Sequence, residues 1–476
     1  MAALKNYIVE PQLPAGHVTV GGEGGQTTVY LGQVAEFGTA RKVYFDASKE
    51  FVTLFLGMRG SGKSFCLGGL LEGLCTTAPE TSFSKIGTRR GVLLLDPMGN
   101  FWPSLMPVRG DGPPRVREQW QLFGGWGIQP EEVRVAVWVP AGTKRDSDHP
   151  NIQEFHVDVA ELDAPDWADI LGTNLVRDPQ GILLAQALDA VREEGWLDQD
   201  GKLRPAKLKY TLQDVIEYLE LVRVQSAVPG VGDHAEQTCR ALLRDFRSFA
   251  RLPLFAGGAT PLTELIQEGQ LGVLMLPYRV GHDMRRVLTR LLIRRIMKER
   301  EEASQIRNRL DLQADIPETD RKKLEARLGQ LIPRTVLAID EAQELVGEEG
   351  QEARQALEDF CLLGRNYGLS MVLATQRPGI GAISPKLRAQ VGTTIVHRLM
   401  TQDDIETTWR NMQSAWPESV KLRERVLEYA ALIRSLDVGQ AVVCSSHMRT
   451  EREGAPLRSF IMNVRPRVRV HGGETR

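Results

Sequence analysis

The chain has 476 residues, 42% hydrophobic and 25% charged, a globular composition too long for one ordinary domain. Its 59 basic and 61 acidic side chains leave a formal charge of −2, which excludes a global field for nucleic acid and confines any DNA site to a local patch. Cys66, Cys75, Cys239, Cys361 and Cys444 lie far apart without CxxC spacing, the apolar runs are strand-sized, and Met1 to Gly16 lacks a signal-peptide core; a disulfide framework, a cysteine metal centre and a membrane partner are excluded, and a cytoplasmic location is expected.

In chain order, residues 17–46 alternate polar and apolar positions around Gly21-Gly22 and Gly24-Gly25, which predicts a miniature β-domain over residues 1–46. Val52-Thr53-Leu54-Phe55-Leu56 is a buried-strand pattern, and Gly57-Met58-Arg59-Gly60-Ser61-Gly62-Lys63-Ser64 after it is a complete G-x-x-x-x-G-K-[ST] loop. Glycines let backbone N–H groups converge on phosphate oxygens, Lys63 supplies a cation for the β/γ-phosphates, and the Ser64 hydroxyl can ligate Mg²⁺. The apolar run from Ser64 to Leu74 predicts a helix whose N-terminus attracts anions. Nucleotide contacts are therefore expected from Gly57, Arg59, Gly60, Ser61, Gly62, Lys63, Ser64 and Phe65, with ATP and Mg²⁺ as cofactors.

Strands Gly91 to Leu95, ending at Asp96-Pro97, and Val133 to Val139 continue an α/β alternation that predicts a parallel sheet, its first half over 47–145. Residues 146–270 are largely helical, with capping-box spacing at Thr211 to Asp214, and read as an insertion. The second half of the core is expected over 271–463. It opens with a strand from Leu271 to Tyr278 and a helix whose stripe Arg286, Arg290, Arg294 and Lys298 is read as a solvated face, with a DNA or subunit contact as the alternative. A charged helical arm follows at 301–333.

Val336-Leu337-Ala338-Ile339-Asp340-Glu341 is a buried strand ending in two acids. Asp340 can hold the metal and Glu341 can accept a proton from attacking water. A third strand, Leu369 to Ala374, ends at Thr375-Gln376, and Gln376 is placed to sense the γ-phosphate. The helix from about Gln351 to Leu363 is predicted to end at Gly364, leaving Arg365 on an exit loop.

The set GMRGSGKS, LLLDPMGN, VLAIDEAQ, GRNYGLSMVLATQRP and VRPRVRVHGG resembles the HerA/FtsK superfamily, and its HerA branch in particular. The resemblance implies a RecA-like P-loop NTPase core, a homo-hexameric ring and ATP-driven passage of DNA through its pore. It makes Lys63 and Ser64 the Walker A residues, Asp340 and Glu341 Walker B, Gln376 the sensor, and Arg365 a finger offered to a neighbouring subunit. Arg398 is a weaker second arginine, Asp96 an orienting acid, and 464–476 a C-terminal brace for the neighbour. HerA proteins usually carry a fuller N-terminal β-barrel that helps dock a nuclease, and these 46 residues depart from that pattern. Three readings follow: a DNA translocase or helicase working with a nuclease or other effector in end processing or phage defence; an ATPase scaffold that gates an effector; and a conjugation- or secretion-type DNA pump.

Overall fold

The structure, a computed structural model, describes residues 8–10, 16–22, 24–35, 41–226, 236–313, 315–346, 351–378, 383–412, 416, 419–422, 425–446, 448–450 and 459–473. Most of Met1 to Gly16, part of 17–46 and the last three residues of the expected brace lie outside the described residues. The chain divides into two compact units: Met1–Val137 with Leu262–Pro277 and Ile293–Arg476, and Trp138–Pro261 with Tyr278–Leu292.

The elements used below are, in chain order, β1 (Val18–Val20), β2 (Thr28–Val34), β3 (Lys42–Asp46), β4 (Val52–Leu56), α1 (Lys63–Leu74) and β5 (Gly91–Asp96). Next come α2 (Ala164–Leu171), α3 (Pro179–Asp189), α4 (Leu212–Ser226), α5 (Glu236–Phe249), β6 (Gln270–Met275), α6 (His282–Leu312) and α7 (Glu318–Leu328). The chain then forms β7 (Thr335–Ile339), α8 (Gln351–Tyr367), β8 (Leu369–Thr375), β9 (Thr393–Val396), β10 (Gln440–Ser445) and β11 (Ser459–Val464).

In the first unit the strands run in the order β1-β3-β2-β11-β10-β9-β4-β8-β7-β5-β6. From β9 to β6 every neighbouring pair is parallel. Strands β5, β6, β7 and β8 are buried along their whole length, which is why they read as continuous apolar runs rather than alternations. From β9 across β10 and β11 to β2 and β3 the pairing is antiparallel. Residues expected to stand apart as a small β-domain thus continue the same sheet, since β11 hydrogen-bonds β2 on one side and β10 on the other.

Helix α1 buries residues on every side, with Cys66, Leu67, Leu70, Leu71 and Leu74 enclosed together with the charged Lys63 and Glu72, as a helix enclosed by its unit does. Its glycines sit at close approaches: a Cβ on Gly73 would lie 2.2 Å from a Val29 methyl. The arginine-rich brace is turned inward over its described part. Arg465 donates to the carbonyls of Tyr30 and Gly69, and Arg467 pairs with Glu72 at 2.7 Å, both ends of that pair fully buried. A guanidinium carries enough donors to satisfy several carbonyls at once, which suits it to tie a tail to a buried helix.

The arm forms from the end of α6 and α7, joined by Ala303, Ile306 and Leu331 with Leu310, Leu324 and Leu328 packed against them. Buried Arg300 on α6 donates to the carbonyls of Tyr367 and Ile332 at 2.9 Å, capping the C-terminus of α8. That helix runs through Gly364 and Arg365 and stops at Gly368, whose φ of +71° is the left-handed stop. Gly364 answers a different need: a Cβ there would lie 3.1 Å from the Leu369 side chain.

In the second unit Trp167 of α2 packs against Phe246, Phe249 and Phe255, with centroids 5.0, 5.3 and 5.8 Å away. Its indole N–H donates to the Tyr210 hydroxyl at 2.8 Å, which donates to the Leu162 carbonyl at 2.9 Å. Arg290 is buried and bonded to buried Asp166, so this member of the basic stripe is a structural cation rather than a solvated or DNA-facing one. Burial of Asp166, offset in part by Arg290, raises its pKa to about 6. The unit runs over Trp138–Pro261 and Tyr278–Leu292 where an insertion over 146–270 is expected; the second of these segments contains the first part of α6, whose remainder belongs to the other unit.

Candidate functional site

Parallel register brings four strand ends together. Leu56 of β4 stands opposite Thr375, and Ile339 of β7 stands opposite both Leu373 of β8 and Leu95 of β5. The residues that leave those strands therefore meet at one edge, where open α/β sheets bind ligands: the loop 57–64, Thr375-Gln376, Asp340-Glu341 and Asp96.

The loop is held by backbone bonds from outside it. Gly57 N–H donates to the Thr375 carbonyl at 3.3 Å, Met58 N–H to that of Arg398 at 2.9 Å, and Gly439 N–H to that of Ser61 at 3.2 Å. Gly62 has a φ of 99° and a Cβ on it would lie 3.0 Å from Gly439 N; one on Gly57 would lie 2.6 Å from Ser61 Oγ. No other residue type leaves this cradle open. Beneath it, buried His397 places Nδ1 3.0 Å from the Gln440 carbonyl. Burial lowers its pKa to about 4 and keeps it neutral, so it braces the loop without competing for anions.

Lys63 Nζ lies 2.7 Å from Glu341 Oε1 and 3.8 Å from Asp340 Oδ1. Ser64 Oγ donates to Asp340 Oδ2 at 2.9 Å. Glu341 Oε1 also accepts from Gln376 Nε2 at 2.7 Å, and Oε2 from Gln343 Nε2 at 2.8 Å, while Gln343 Oε1 accepts from the Thr375 hydroxyl at 2.7 Å. Glu341 thus has both oxygens fixed, and its φ of 48° is the one positive value at a non-glycine among the described residues. Such backbone strain persists where the surroundings over-determine a functional conformation. Gln343 and His397 were not singled out in the sequence. Gln343 could have been found two positions after the acidic pair; His397 is a lone histidine at a strand end, with no sequence signal.

Burial holds Asp340 above the usual carboxylate range, Lys63 pulling it down and Glu341 pushing it up. Burial and then Asp340 raise Asp96 to about 7, against backbone N–H bonds that include Phe101 at 2.8 Å. Two acids crowded this way gain from a cation beside them. The Ser64 and Asp340 oxygens offer a hard-oxygen pair, and the glycine cradle with Lys63 offers the phosphate seat, so the residues present fit a magnesium–nucleotide. A carboxylate placed as Glu341 is can take a proton from an attacking water.

The other expected residues stand apart. Arg59 is exposed; Phe65 is half-buried, its ring 5.7 Å from that of His471 in an edge-on contact. Arg398 meets the loop through its carbonyl. Arg365 is exposed and forms no hydrogen bond or ion pair among the described residues, and its neighbours Leu362 and Leu363 are 49% and 42% exposed. Among the described residues no helix is long and apolar enough to cross a membrane.

Residues 29–296, more than half of the chain, match the family described as "Helicase HerA, central domain". Curated relatives include "DNA translocase FtsK" of Treponema pallidum, 32% identical over 16% of this chain and 9% of that protein. "DNA translocase FtsK 2" of Ralstonia nicotianae is 28% identical over 31% of this chain and 18% of that protein. The chain therefore spans less than a fifth of the length of either. Among solved structures, VirB4 of Thermoanaerobacter pseudethanolicus is 16% identical, covering 91% of this chain and 99% of that one at a TM-score of 0.47. The bacterial conjugative coupling protein TrwBdeltaN70 is 14% identical, covering 97% and 98% at 0.45. With the phosphate loop, the acidic strand end and the strand ending at Gln376 assembled on one parallel sheet, and a family match across more than half its length, the chain belongs to the HerA helicase central-domain family and is a P-loop ATPase of the HerA/FtsK superfamily.

Proposed function

We propose that the protein is a motor that couples ATP hydrolysis to the movement of DNA. The observation that carries this reading is Arg365, exposed and unpartnered among the described residues beside two exposed leucines. The hydrolytic transition state spreads charge over equatorial phosphate oxygens, which a guanidinium stabilises. One turned outward from its own chain serves a neighbouring copy, and Leu362 and Leu363 supply the apolar contact that holds that copy. The working form is then a ring, of six copies as the HerA resemblance implies, with DNA in its pore.

Within each site, Lys63 and the loop amides hold the phosphates while Ser64 and Asp340 hold Mg²⁺, which when bound neutralises charge on the phosphate oxygens. Glu341 takes the proton of the attacking water, and Gln376 and Gln343 keep its carboxylate aimed. The curated relatives are named DNA translocases, which supports pumping DNA as the work. That favours the pump over a processing motor tied to a nuclease, or a scaffold that moves little DNA.

The test is a mixing experiment with a DNA readout. Arg365→Ala and Lys63→Ala each hydrolyse poorly alone; together, some interfaces join an intact loop to an intact finger and activity returns. Mixed assemblies that form and stay inactive refute the role of Arg365 between chains. An ATPase rate indifferent to DNA, with no ATP-dependent displacement of a triplex-forming strand, refutes the motor.

A further inference from the structure

The helical unit carries a feature that ATP hydrolysis does not use. Arg223 of α4, with Arg240, Arg244, Arg247 and Arg251 along and just beyond α5, lines a cavity of about 620 Å³ together with Leu243 and Ser248. The four arginines of α5 and its end recur at steps of four, three and four residues, one face of a helix. The opposite face buries Cys239, Leu242 and Phe246 in the unit.

We infer that this cleft binds the phosphate backbone of nucleic acid, as a site separate from the ATPase centre; the inference rests on the reading that DNA is the protein's substrate. Two observations select that occupant. At about 1.5 Å per residue the stripe from Arg240 to Arg251 is roughly 16 Å long, which matches about five phosphates of one strand at ~3.4 Å of axis each. A single small anion would leave most of it unused. Among the described residues no aromatic side chain lines the cavity, so they offer no platform for a base, and the cleft addresses phosphate rather than a free nucleotide or a sequence.

Its charges are also available. Arg223 and Arg251 make no side-chain hydrogen bond or ion pair among the described residues. Arg240 pairs with Glu236, Arg244 with the adjacent Asp245, and Arg247 with Glu220, with these arginine side chains 65%, 77% and 54% exposed. Exposed pairs of this kind are weak and exchange readily for a phosphate. The chain's overall charge is −2, so a local concentration of guanidinium groups on one unit is what draws DNA to it.

The experiment uses the full chain and measures binding of a fluorescent duplex oligonucleotide by anisotropy across a series of salt concentrations. The double variant Arg244→Gln/Arg251→Gln is expected to weaken binding and lower the slope of log K against log[salt] by about 0.9 for each phosphate no longer neutralised. Arg244→Lys/Arg251→Lys keeps the charge and is expected to keep the slope, which separates a missing charge from a misfolded chain. Basal ATPase activity without DNA is expected to stay unchanged in both. Wild-type affinity and slope in the glutamine variant overturn the proposal while leaving the motor intact. So does a variant that loses binding of polyglutamate yet keeps DNA, since the cleft would then hold an acidic protein segment. A wild-type chain that binds no DNA overturns both this site and the motor.

Discussion

Replacing Glu72 by glutamine tests how the C-terminal segment is held to the helix that follows the phosphate loop. The Glu72 carboxylate is fully buried and lies 2.7 Å from Arg467 Nε; it also accepts the backbone N–H of Val468 at 3.0 Å and of Arg469 at 3.3 Å. Arg467, equally buried, has Ser104 Oγ at 2.8 Å and His471 Nδ1 at 3.0 Å as its remaining hydrogen-bond partners among the described residues, with the Phe101 ring centre 5.3 Å from its guanidinium. His471 cannot replace the missing anion, because burial and then Arg467 lower its pKa to about 3 and leave it neutral. Glu72→Gln therefore strands a guanidinium in the interior, and breaking one partner of a buried pair costs about 3–5 kcal/mol. At ~1.36 kcal/mol per decade, hydrogen-exchange protection of the Val468 and Arg469 amides should fall by roughly two to four decades. Glu72→Gln/Arg467→Met, which removes both charges, should recover much of that protection. Protection in the single variant within tenfold of wild type, read by mass spectrometry of the tail peptide, refutes the account.

Glu341→Gln should bind ATP and hydrolyse it about 10²–10⁴-fold more slowly, since an amide takes no proton; turnover at the wild-type rate in a coupled ATPase assay removes Glu341 as the base. Gly62→Ala should fold but lose nucleotide affinity, because φ is 99° there and the new methyl carbon would press on Gly439 N at 3.0 Å; unchanged titration with a fluorescent nucleotide contradicts this. His397 has its pKa lowered from 6.5 to about 4, so between those values the unfolded chain binds more protons and stability rises with pH. Its contribution is complete above pH 6.5 and lost as pH falls to 4, up to about 3 kcal/mol at ~1.36 per pH unit. Stability of His397→Gln by urea unfolding should depend less on pH in that window, and parallel curves for variant and wild type would show that His397 is not the group responsible.

The parts of the site that were legible in the sequence are those in which local chemistry and strand ends coincide. Val52–Leu56 and Thr335–Ile339 are short apolar strands released at a glycine loop and at an acidic pair, and a parallel core places such exits on one edge. Partners fixed across long separations were not legible. The bond from Gln376 to Glu341 and the brace of His397 on Gln440 depend on strand order, which apolar runs do not encode. Alternation in residues 17–46 gives strands but not their partner, so the pairing of Thr28–Val34 with Ser459–Val464 was invisible. The helix end expected at Gly364 falls instead at Gly368, because Gly364 is needed for space against Leu369 and Gly368 carries the left-handed stop, a packing difference that neither glycine reveals in sequence. Arginines mislead for a related reason: Arg290 and Arg465 are spelled like surface residues, yet each is buried among partners distant in sequence.

The place of β11 in the sheet has a consequence for the order of events at the ribosome. The N-terminal strands join the long sheet order through a segment some 400 residues further on. At roughly 5–20 residues per second, the interval between emergence of β2 and of β11 is on the order of 20–80 s. Through that time the Gly32–Val34 end of β2 lacks its β11 partner, while Val29 is already served by Ser84 and the Tyr30 N–H by the Phe83 carbonyl; an open strand end of this kind pairs with other chains. Occupancy of nascent chains by holding chaperones should therefore persist until β11 clears the exit tunnel, and slowing translation late in the message should raise aggregation more than slowing it early.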